Sequence, residues 1–235
     1  MLEFAVPGGH PVLAPMSLRI AQGDRICLLG PSGIGKTTLL NRLAGLEPGQ
    51  PRPALRIGYL FQEHRLLPWR TLHDNLRLVG VRSDQVSSLL SQVGLDGYGA
   101  HFPDQLSLGM ARRAALARCL AVRPELLLLD EPFASLDPHR ATELQALIRK
   151  LLDRTPHMAM ICVTHELRDA AALANRVWYL AGRPAHLRHD GNLGDTPAAV
   201  ADLARQLETL GQESSAQVRA QQPRTLGPEA ADGQR

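Results

Sequence analysis

The feature of this sequence that most constrains its fold is a glycine-rich loop between an apolar segment and a helix-favouring one. The loop reads GPSGIGKTT, spans residues 30–38, and directly follows the apolar segment RICLL. Its spacing matches G-x-x-x-x-G-K-[S/T], in which the glycines let backbone N–H groups turn inward around a phosphate. The N-terminus of the next helix adds partial positive charge toward the same anion. The pattern predicts a phosphate-binding loop after a β-strand.

Two side chains of this loop have separate predicted roles. In loops of this type the lysine ammonium bridges the β- and γ-phosphates, and the hydroxyl that follows it ligates Mg²⁺. Lys36 and Thr37 occupy these positions. A merely flexible glycine loop is the alternative, and the flanking strand and helix argue against it. We therefore predict that the whole loop binds the nucleotide: Gly30, Pro31, Ser32, Gly33, Ile34, Gly35, Lys36, Thr37 and Thr38.

A second apolar strand ends in two carboxylates. In the segment ELLLLDEP, Asp130 and Glu131 follow a continuous apolar run, which is typical of a parallel strand buried on both faces. Ligands of open α/β sheets bind at the C-terminal edge of the strands. Asp130 is therefore predicted to hold Mg²⁺, and Glu131 to polarise an attacking water. An acidic pair that merely ends a strand before a proline turn is the alternative, and the phosphate loop in the same chain makes us favour the functional interpretation.

A histidine closes the next apolar strand. His165 ends the segment AMICVTH, at the same predicted sheet edge as Asp130. A histidine in such a place is often a hydrogen-bonded structural residue. Its predicted position beside the acidic pair favours a catalytic role instead, in which it senses the γ-phosphate through a hydrogen bond.

Strands and helices alternate along the chain, which is typical of an α/β fold with a mostly parallel sheet. The residues from about 68 to 124 are mostly helical and lie between the strands IGYLF and LLLLD, so they predict an inserted helical subdomain. We expect one nucleotide-binding domain over residues 1–190, with a small antiparallel β part. Residues 191–235 are predicted to form a C-terminal extension, with one helix in PAAVADLARQLETLG and disorder from Gln212.

Composition argues against several other classes of protein. The formal net charge is only +3 and the arginines are scattered over predicted helices, so we expect no nucleic acid partner. The three cysteines, Cys27, Cys119 and Cys162, form no CxxC pair, which predicts buried free thiols rather than a zinc site or a disulfide framework. No apolar run approaches the roughly 18–20 residues that a membrane span needs. Work at a membrane would therefore require another chain.

Five motifs in a fixed order resemble the nucleotide-binding subunit of an ATP-binding cassette (ABC) transporter. They are GPSGIGKTT, LFQEHRLLPW, LSLGMARRAALARCL, LLLLDEPFASLD and VTHE. The phosphate loop alone is generic to many NTPases, whereas the ordered set is specific. The resemblance covers the chain to about residue 187. It implies a P-loop NTPase fold, ATP and Mg²⁺ as ligands, and ATP hydrolysis by the domain at residues 1–190.

The resemblance also assigns residues that the patterns alone leave open. It implies that Gln62 reaches Mg²⁺ and the attacking water through its amide oxygen. It implies that Ser107 and Gly109 bind the γ-phosphate held by a second subunit, and that Asp137 contacts that subunit. Without the family, Gln62 is an ordinary polar residue and SLDP is a turn or a helix cap. The family implies a homodimer in which two chains enclose two ATP molecules head to tail.

The sequence departs from the family pattern in two places. The usual signature is Leu-Ser-Gly-Gly-Gln, and this chain has Leu108 and Met110 in place of the first glycine and the glutamine. The side chain of Leu108 is expected either to crowd the phosphate or to restrict a backbone angle that glycine tolerates. The aromatic residue that stacks on adenine in the family is replaced by Pro7, and Phe4 and His10 are the candidates to substitute for it.

The segment FQEHRLLPWRTLHDNL is similar to importer ATPases of the nitrate, sulfonate and taurine group. Its residues Leu66, Leu67, Pro68 and Trp69 are predicted either to line a groove for a separate membrane permease or to belong to the hydrophobic core. The importer interpretation implies a peripheral location at the cytoplasmic face of the inner membrane, and a solute-binding protein in the complete system. Two alternatives stay open: a non-transport ABC ATPase, and an ATP-dependent dimerisation module with weak hydrolysis.

Overall fold

An α/β arrangement extends over the residues that the computed structural model describes, which are 2–6, 11–47, 53–164, 171–194 and 196–220. The strands are β1 (Leu2–Val6), β2 (Met16–Ile20), β3 (Arg25–Leu29), β4 (Ile57–Leu60), β5 (Leu126–Asp130), β6 (Ala159–Val163), β7 (Arg176–Ala181) and β8 (His186–Asn192). The helices are α1 (Lys36–Leu43), α2 (Leu72–Arg77), α3 (Ser83–Gln92), α4 (Leu108–Ala121), α5 (Pro138–Arg154) and α6 (Pro197–Ala220), and short 3₁₀ turns lie at Tyr98–Ala100 and Pro103–Gln105.

A six-stranded sheet forms the centre of the fold. Its strands lie in the order β4-β5-β6-β3-β7-β8, and neighbours run parallel except for the antiparallel hairpin of β7 and β8. β1 and β2 form a separate two-stranded antiparallel sheet. The predicted fold class, a mostly parallel sheet with a small antiparallel part, is therefore confirmed. Because β3 and β5 run in the same direction, their C-terminal ends lie at one edge of the sheet, where α/β proteins bind ligands.

Apolar side chains cover both faces of the central strands. All residues of β5 and β6 are buried, which is typical of parallel strands with helices packed on both sides. Alternate leucines of β5 enter two cores, one shared with the helical segment and one shared with α1. Cys27 and Cys162 are register partners on β3 and β6, and both are buried, as is Cys119. The prediction of buried free thiols is confirmed.

The predicted helical insertion corresponds to α2, α3 and α4 with the two 3₁₀ turns, between β4 and β5. Thr71 caps α2, because its hydroxyl accepts a hydrogen bond from the N–H of Asp74 (3.1 Å). The three helices pack around a shared core that includes Leu76, Leu90 and Leu116. α4 also packs on β4, which joins the insertion to the central sheet.

The C-terminal helix is part of the packed structure. Leu203 and Leu207 of α6 are buried in an apolar cluster with residues of β3 and β7. The predicted domain boundary after residue 190 falls inside β8. The helix continues past Gln212 to Ala220, a range in which the sequence predicts disorder. Neither α6 nor any other helix in the described ranges combines the length and apolarity needed to cross a membrane.

Candidate nucleotide-binding site

The phosphate loop turns from β3 into α1 through two glycine positions that have no room for a side chain. Gly30 has φ +149°, and a Cβ there would lie 2.6 Å from the carbonyl oxygen of Leu180. Gly35 precedes α1 with φ +110°, and a Cβ there would lie 2.7 Å from the side chain of Val12. Another residue at either position would combine a strained backbone with a steric clash. The loop follows a strand and opens a helix, as predicted.

The side chain of Lys36 lies inside the loop. Its Nζ donates hydrogen bonds to the carbonyl oxygens of Gly30 (2.8 Å) and Pro31 (3.0 Å). Burial lowers the pKa of Lys36, and the negative charges of Glu131 and Asp130 oppose that shift. The ammonium group is therefore held, partly desolvated, at the place where a phosphate loop receives its anion.

Thr37 and Asp130 meet at the sheet edge. The Thr37 hydroxyl donates to Oδ1 of Asp130 over 3.2 Å, and Asp130 is only 2% exposed. Burial raises the pKa of Asp130, while the hydrogen bond from Thr37 acts in the opposite direction. Hydroxyl and carboxylate oxygens suit Mg²⁺, which usually completes its coordination with substrate phosphates and water. Among the described residues, no cluster of three or more His, Cys, Asp or Glu could hold a metal ion. The Thr37 and Asp130 oxygens fit Mg²⁺ in company with a nucleotide, because this ion takes one or two protein oxygens together with substrate phosphates.

Glu131 and Gln62 face each other beside this pair. The Gln62 amide nitrogen donates to Oε2 of Glu131 over 3.4 Å. Glu131 has a left-handed backbone, with φ +48°, and its N–H donates to the carbonyl oxygen of Val163 on β6 (3.0 Å). Non-glycine residues rarely adopt this conformation, which is concentrated at functional sites. The amide nitrogen of Gln62 faces Glu131, and its amide oxygen does not. Coordination of Mg²⁺ by the Gln62 oxygen stays a prediction.

The segment LSLGM forms the tip of α4. Ser107 is exposed and caps the helix, because its hydroxyl accepts a hydrogen bond from the N–H of Met110 (3.3 Å). Leu108 is the first helical residue, is 42% exposed, and has a backbone outside the left-handed region. The expected restriction of a backbone angle is therefore wrong, because a helical residue does not need the conformational freedom of glycine. Crowding of a phosphate by the Leu108 side chain stays a prediction.

Gly109 and Asp137 come together near this tip. A Cβ on Gly109 would meet no atom closer than Cδ of Arg140, at 3.8 Å. Asp137 caps α5 by accepting a hydrogen bond from the Arg140 N–H (3.0 Å), which lowers the pKa of Asp137. The Arg140 and Asp137 side chains also form an ion pair (3.2 Å). A cavity of about 180 Å³ lies between the two segments, with Ser107 and Arg113 on its wall. The backbone of Gly109 is therefore sterically accessible.

Several predicted positions are not part of this geometry. His165, Pro7 and His10 lie outside the described residues. Phe4 lies on β1 opposite Leu18, and its side chain packs against the apolar core. Stacking of adenine on Phe4 would therefore require this ring to leave its packing partners.

The segment LLPW divides between core and surface. Leu66 is buried with the helical subdomain, whereas Pro68 and Trp69 are exposed, Trp69 to 69%. The buried Asn75 fixes this turn: its oxygen accepts from the Leu67 N–H (2.8 Å), and its nitrogen donates to three carbonyl oxygens of the same turn. The predicted core position is thus correct for Leu66, whereas the side chain of Trp69 forms exposed apolar surface.

No sequence motif predicts two further side chains near the site. The Tyr59 hydroxyl donates to Asn41 (3.1 Å), and burial together with the charge of Asp130 raises the pKa of Tyr59. The other is Arg112, which is 5% exposed and lies on the buried face of α4. Arg112 lies four residues before the buried Leu116, so it falls on the apolar face of the helix. A charged residue at such a position is the sequence signal that could have identified it.

Comparison with known proteins relates the chain to transport ATPases. A family model described as ABC transporter matches residues 13–134. The aliphatic sulfonates import ATP-binding protein SsuB 2 of Burkholderia cenocepacia is 42% identical over 195 residues, covering 77% of this chain and 72% of that protein. The protein of the same name from Pseudomonas syringae pv. tomato is 39% identical over 221 residues, covering 89% and 95%.

A solved structure has the same architecture. It is the dimeric ATP-binding cassette MJ0796 in a post-hydrolysis state bound to ADP and Pi, with a TM-score of 0.67 and 25% identity. The match covers 82% of this chain and 96% of that chain. The resemblance indicated by the order of the motifs is thereby confirmed. The chain belongs to the ABC transporter family and is an ATP-binding cassette ATPase.

Proposed function

We propose that this chain is the ATP-hydrolysing subunit of an importer for aliphatic sulfonates, within the nitrate, sulfonate and taurine group, and that it acts as a homodimer on a separate permease. The observation that carries the proposal is the arrangement of Lys36, Thr37, Asp130 and Glu131 at one edge of the parallel sheet. The cargo is inferred from relatives at 42% and 39% identity, which are named as aliphatic sulfonates import proteins. Those names favour transport over the non-transport alternative.

ATP binding begins at the phosphate loop. Backbone N–H groups of residues 32–38 surround the phosphates, and the helix dipole of α1 adds to their attraction. The Nζ of Lys36 exchanges the carbonyl oxygens of Gly30 and Pro31 for β- and γ-phosphate oxygens. Burial disfavours the charged form of Lys36, so a polyanion that restores this charge gains a favourable interaction.

Thr37 and Asp130 are the proposed protein ligands of Mg²⁺, with the amide oxygen of Gln62 as a third. When bound, the ion neutralises negative charge on the phosphates. Asp130 is already buried against the Thr37 hydroxyl, so these two donors need little rearrangement.

Glu131 is the proposed general base, whose carboxylate accepts a proton from the attacking water. The Gln62 amide lies 3.4 Å from this carboxylate and orients it. His165 completes the proposed catalytic set through a hydrogen bond to the γ-phosphate.

The γ-phosphate bound to one chain is proposed to meet the α4 tip of the other. Ser107 donates its hydroxyl, Gly109 donates its backbone N–H, and the N-terminus of α4 adds partial positive charge. Asp137 contacts the opposite subunit at the same interface. The exposure of Ser107 and the dimeric state of the related cassette support this arrangement. ATP then joins the two chains, and hydrolysis separates them.

The permease is proposed to dock on the helical subdomain beside Trp69. This subdomain exposes four large apolar side chains: Leu108 (42%) at the α4 tip, and away from the tip Trp69 (69%), Leu78 (61%) and Phe102 (39%). Exposed apolar surface is a common mark of protein interfaces. Docking would hold the cassette at the cytoplasmic face of the inner membrane. A solute-binding protein would deliver the cargo, and nucleic acid would play no part.

The test measures ATPase activity of the chain alone and with its permease in liposomes. Binding protein loaded with a sulfonate should stimulate hydrolysis only when the permease is present. Trp69→Ala should lower the stimulated rate. Leu46→Ala, which removes a comparably exposed side chain (55%) outside the helical subdomain, should leave it unchanged. Stimulation by nucleic acid would favour the non-transport alternative, and ATP-driven dimerisation with negligible hydrolysis would favour the dimerisation module.

A further inference from the structure

We propose that Arg112 is a positioning residue for hydrolysis, whose guanidinium holds the backbone of Glu131 and the loop of Gln62 in a single arrangement. This inference rests on the proposed function, because it assigns a support to residues of that same site. It concerns a residue whose described hydrogen bonds go to backbone carbonyl oxygens, and not to the phosphate loop or to the side-chain oxygens proposed to hold the metal.

One guanidinium contacts both segments that carry the residues proposed to act on the attacking water. Nη1 of Arg112 donates to the carbonyl oxygens of Glu131 (3.2 Å) and Pro132, and Nη2 donates to the carbonyl oxygen of Gln62 (3.5 Å). These acceptors belong to the loops after β4 and β5, and the donor belongs to α4. The planar guanidinium suits this task, since its N–H groups point in fixed directions and serve several acceptors at once.

The position of Arg112 is uncommon for a charged residue. Its side chain lies on the buried face of α4, and burial lowers its pKa while the charge of Glu131 acts in the opposite direction. Arginine is almost never fully buried unless it is paired, because loss of water around a charge is unfavourable. The carbonyl oxygens and the nearby carboxylate supply that pairing, which indicates a specific role at this place.

The backbone of Glu131 requires a constraint from its surroundings. Its φ of +48° is a conformation that persists only when neighbouring groups fix it. The N–H is fixed by Val163 (3.0 Å) and the carbonyl by Arg112 (3.2 Å), so both peptide groups of this residue are held. The Ala134 N–H also donates to the Glu131 carbonyl oxygen (3.2 Å), and this bond does not depend on Arg112. Loss of Arg112 would remove the group that holds this carbonyl and the Gln62 loop together, so the carboxylate and Gln62 would be held less firmly relative to each other.

Arg112 also joins the two halves of the proposed mechanism. It lies on the same helix as Ser107, about 1.4 turns further along at 3.6 residues per turn. A displacement of the α4 tip by a partner chain would therefore be transmitted, through one rigid helix, to the backbone that carries the general base.

The test is a double-mutant cycle measured on ATPase activity. Arg112→Gln should lower kcat about tenfold and leave the KM for ATP within about twofold, because it removes support for the general base and leaves the phosphate loop unchanged. In a Glu131→Gln background the same change should have no further effect on the residual kcat, because Arg112 acts through Glu131. Arg112→Lys should recover little, since an ammonium lacks the guanidinium fork.

Arg118→Gln is the matched control. Arg118 lies on the same helix and donates to the carbonyl oxygens of Arg65 (2.6 Å) and His64 (3.0 Å), so it holds the loop after Gln62 by different bonds. Any loss of kcat in this variant should add to that of Glu131→Gln. Unfolding midpoints check that every variant folds, and Arg112→Lys takes over the cycle if Arg112→Gln does not.

The outcomes separate this inference from the proposed function. An Arg112 variant that folds and keeps the wild-type kcat overturns the inference alone, as does a full extra loss in the double variant. A rise in KM at constant kcat overturns it as well, since that result places Arg112 in nucleotide binding. A wild-type chain that does not hydrolyse ATP overturns the proposed function.

Discussion

The sheet edge and the tip of α4 are both proposed to bind the same phosphate, yet they are built in opposite ways. At the sheet edge, polar groups are buried and bonded to one another, as in the contacts of Lys36 with its own loop and of Thr37 with Asp130. At the tip, Ser107 is exposed and bonds to its own helix, and Gly109 leaves its backbone accessible. The sheet edge, which one chain can assemble alone, consists of buried charged and polar side chains. The α4 tip, which is proposed to act on a second chain, instead presents an exposed hydroxyl and an accessible backbone.

The largest expected effect comes from removing the chemistry while leaving both regions able to bind ATP. Glu131→Gln should slow hydrolysis by about a hundredfold or more, because a general base commonly contributes a factor of that size. The ATP-bound dimer should then accumulate, as measured by phosphate release and by size-exclusion chromatography in Mg-ATP.

Glu125→Gln is the control for this change. Glu125 lies at the opposite end of β5 and accepts a hydrogen bond from the Arg56 N–H (3.1 Å), away from the nucleotide. Its activity should equal that of the wild type. Full activity in the Glu131 variant would show that another group is the base.

A mixing experiment separates the two regions directly. Lys36→Ala damages the sheet edge and Ser107→Ala damages the tip, so either variant alone should hydrolyse ATP poorly. In a head-to-tail dimer, a mixed pair holds one intact site. Random pairing should therefore restore up to about a quarter of the wild-type rate, since half of the dimers are mixed and each has one good site of two.

The matched mixture combines two variants of the same region, Lys36→Ala and Asp130→Asn. No mixed pair of these chains contains an intact site, so the rate should stay low. Equal recovery in both mixtures, or recovery in neither, would contradict an interface in which the tip of one chain completes the site of the other.

A smaller effect is expected at Leu108, which stands where the usual signature has a glycine and therefore no side chain. Leu108→Gly should raise ATPase turnover about threefold, equivalent to roughly 0.6 kcal/mol in the barrier, by making room for the phosphate. Because Leu108 already has an ordinary helical backbone, Leu108→Ala should do nearly as well. A gain with glycine alone would point to the backbone instead, and equal or lower turnover in both assembled transporters would count against crowding.

A separate effect, which does not involve turnover, concerns stability without nucleotide. Burial raises the folded-state pKa of Asp130, so this group stabilises the fold below its unfolded pKa of about 3.9 and loses that contribution as pH rises through the raised value. Asp130→Asn should therefore raise the unfolding midpoint at pH 7.5, and the gain should vanish towards pH 4. Calorimetry across this range measures both.

The tip should respond in the opposite direction. Ser107→Ala removes a helix cap, which should lower stability by about 1 kcal/mol at any of these pH values, because no titratable group is involved. A stabilised Ser107 variant or a destabilised Asp130 variant would remove the physical distinction between the two regions.

The two regions also differ in how far the sequence predicts them. The phosphate loop and the pair Asp130 and Glu131 follow from residue types and local spacing, because strand ends and glycine turns determine where such groups lie. Ser107 is assigned only through the family, since its proposed ligand belongs to another molecule. Arg112 and the division between Leu66 and Trp69 depend on contacts between distant segments, which single-sequence patterns do not contain.

The burial of α6 has a practical consequence for anyone who shortens the gene. Leu203 and Leu207 cover the side of the sheet that includes Leu29, the residue immediately before the phosphate loop. A chain that ends at residue 190 would lack α6, so the apolar side chains of β3 and β7 that α6 covers would be exposed to water. We expect such a chain to form inclusion bodies. A chain that ends at Ala220 keeps α6 and should instead be produced in soluble form with ATPase activity.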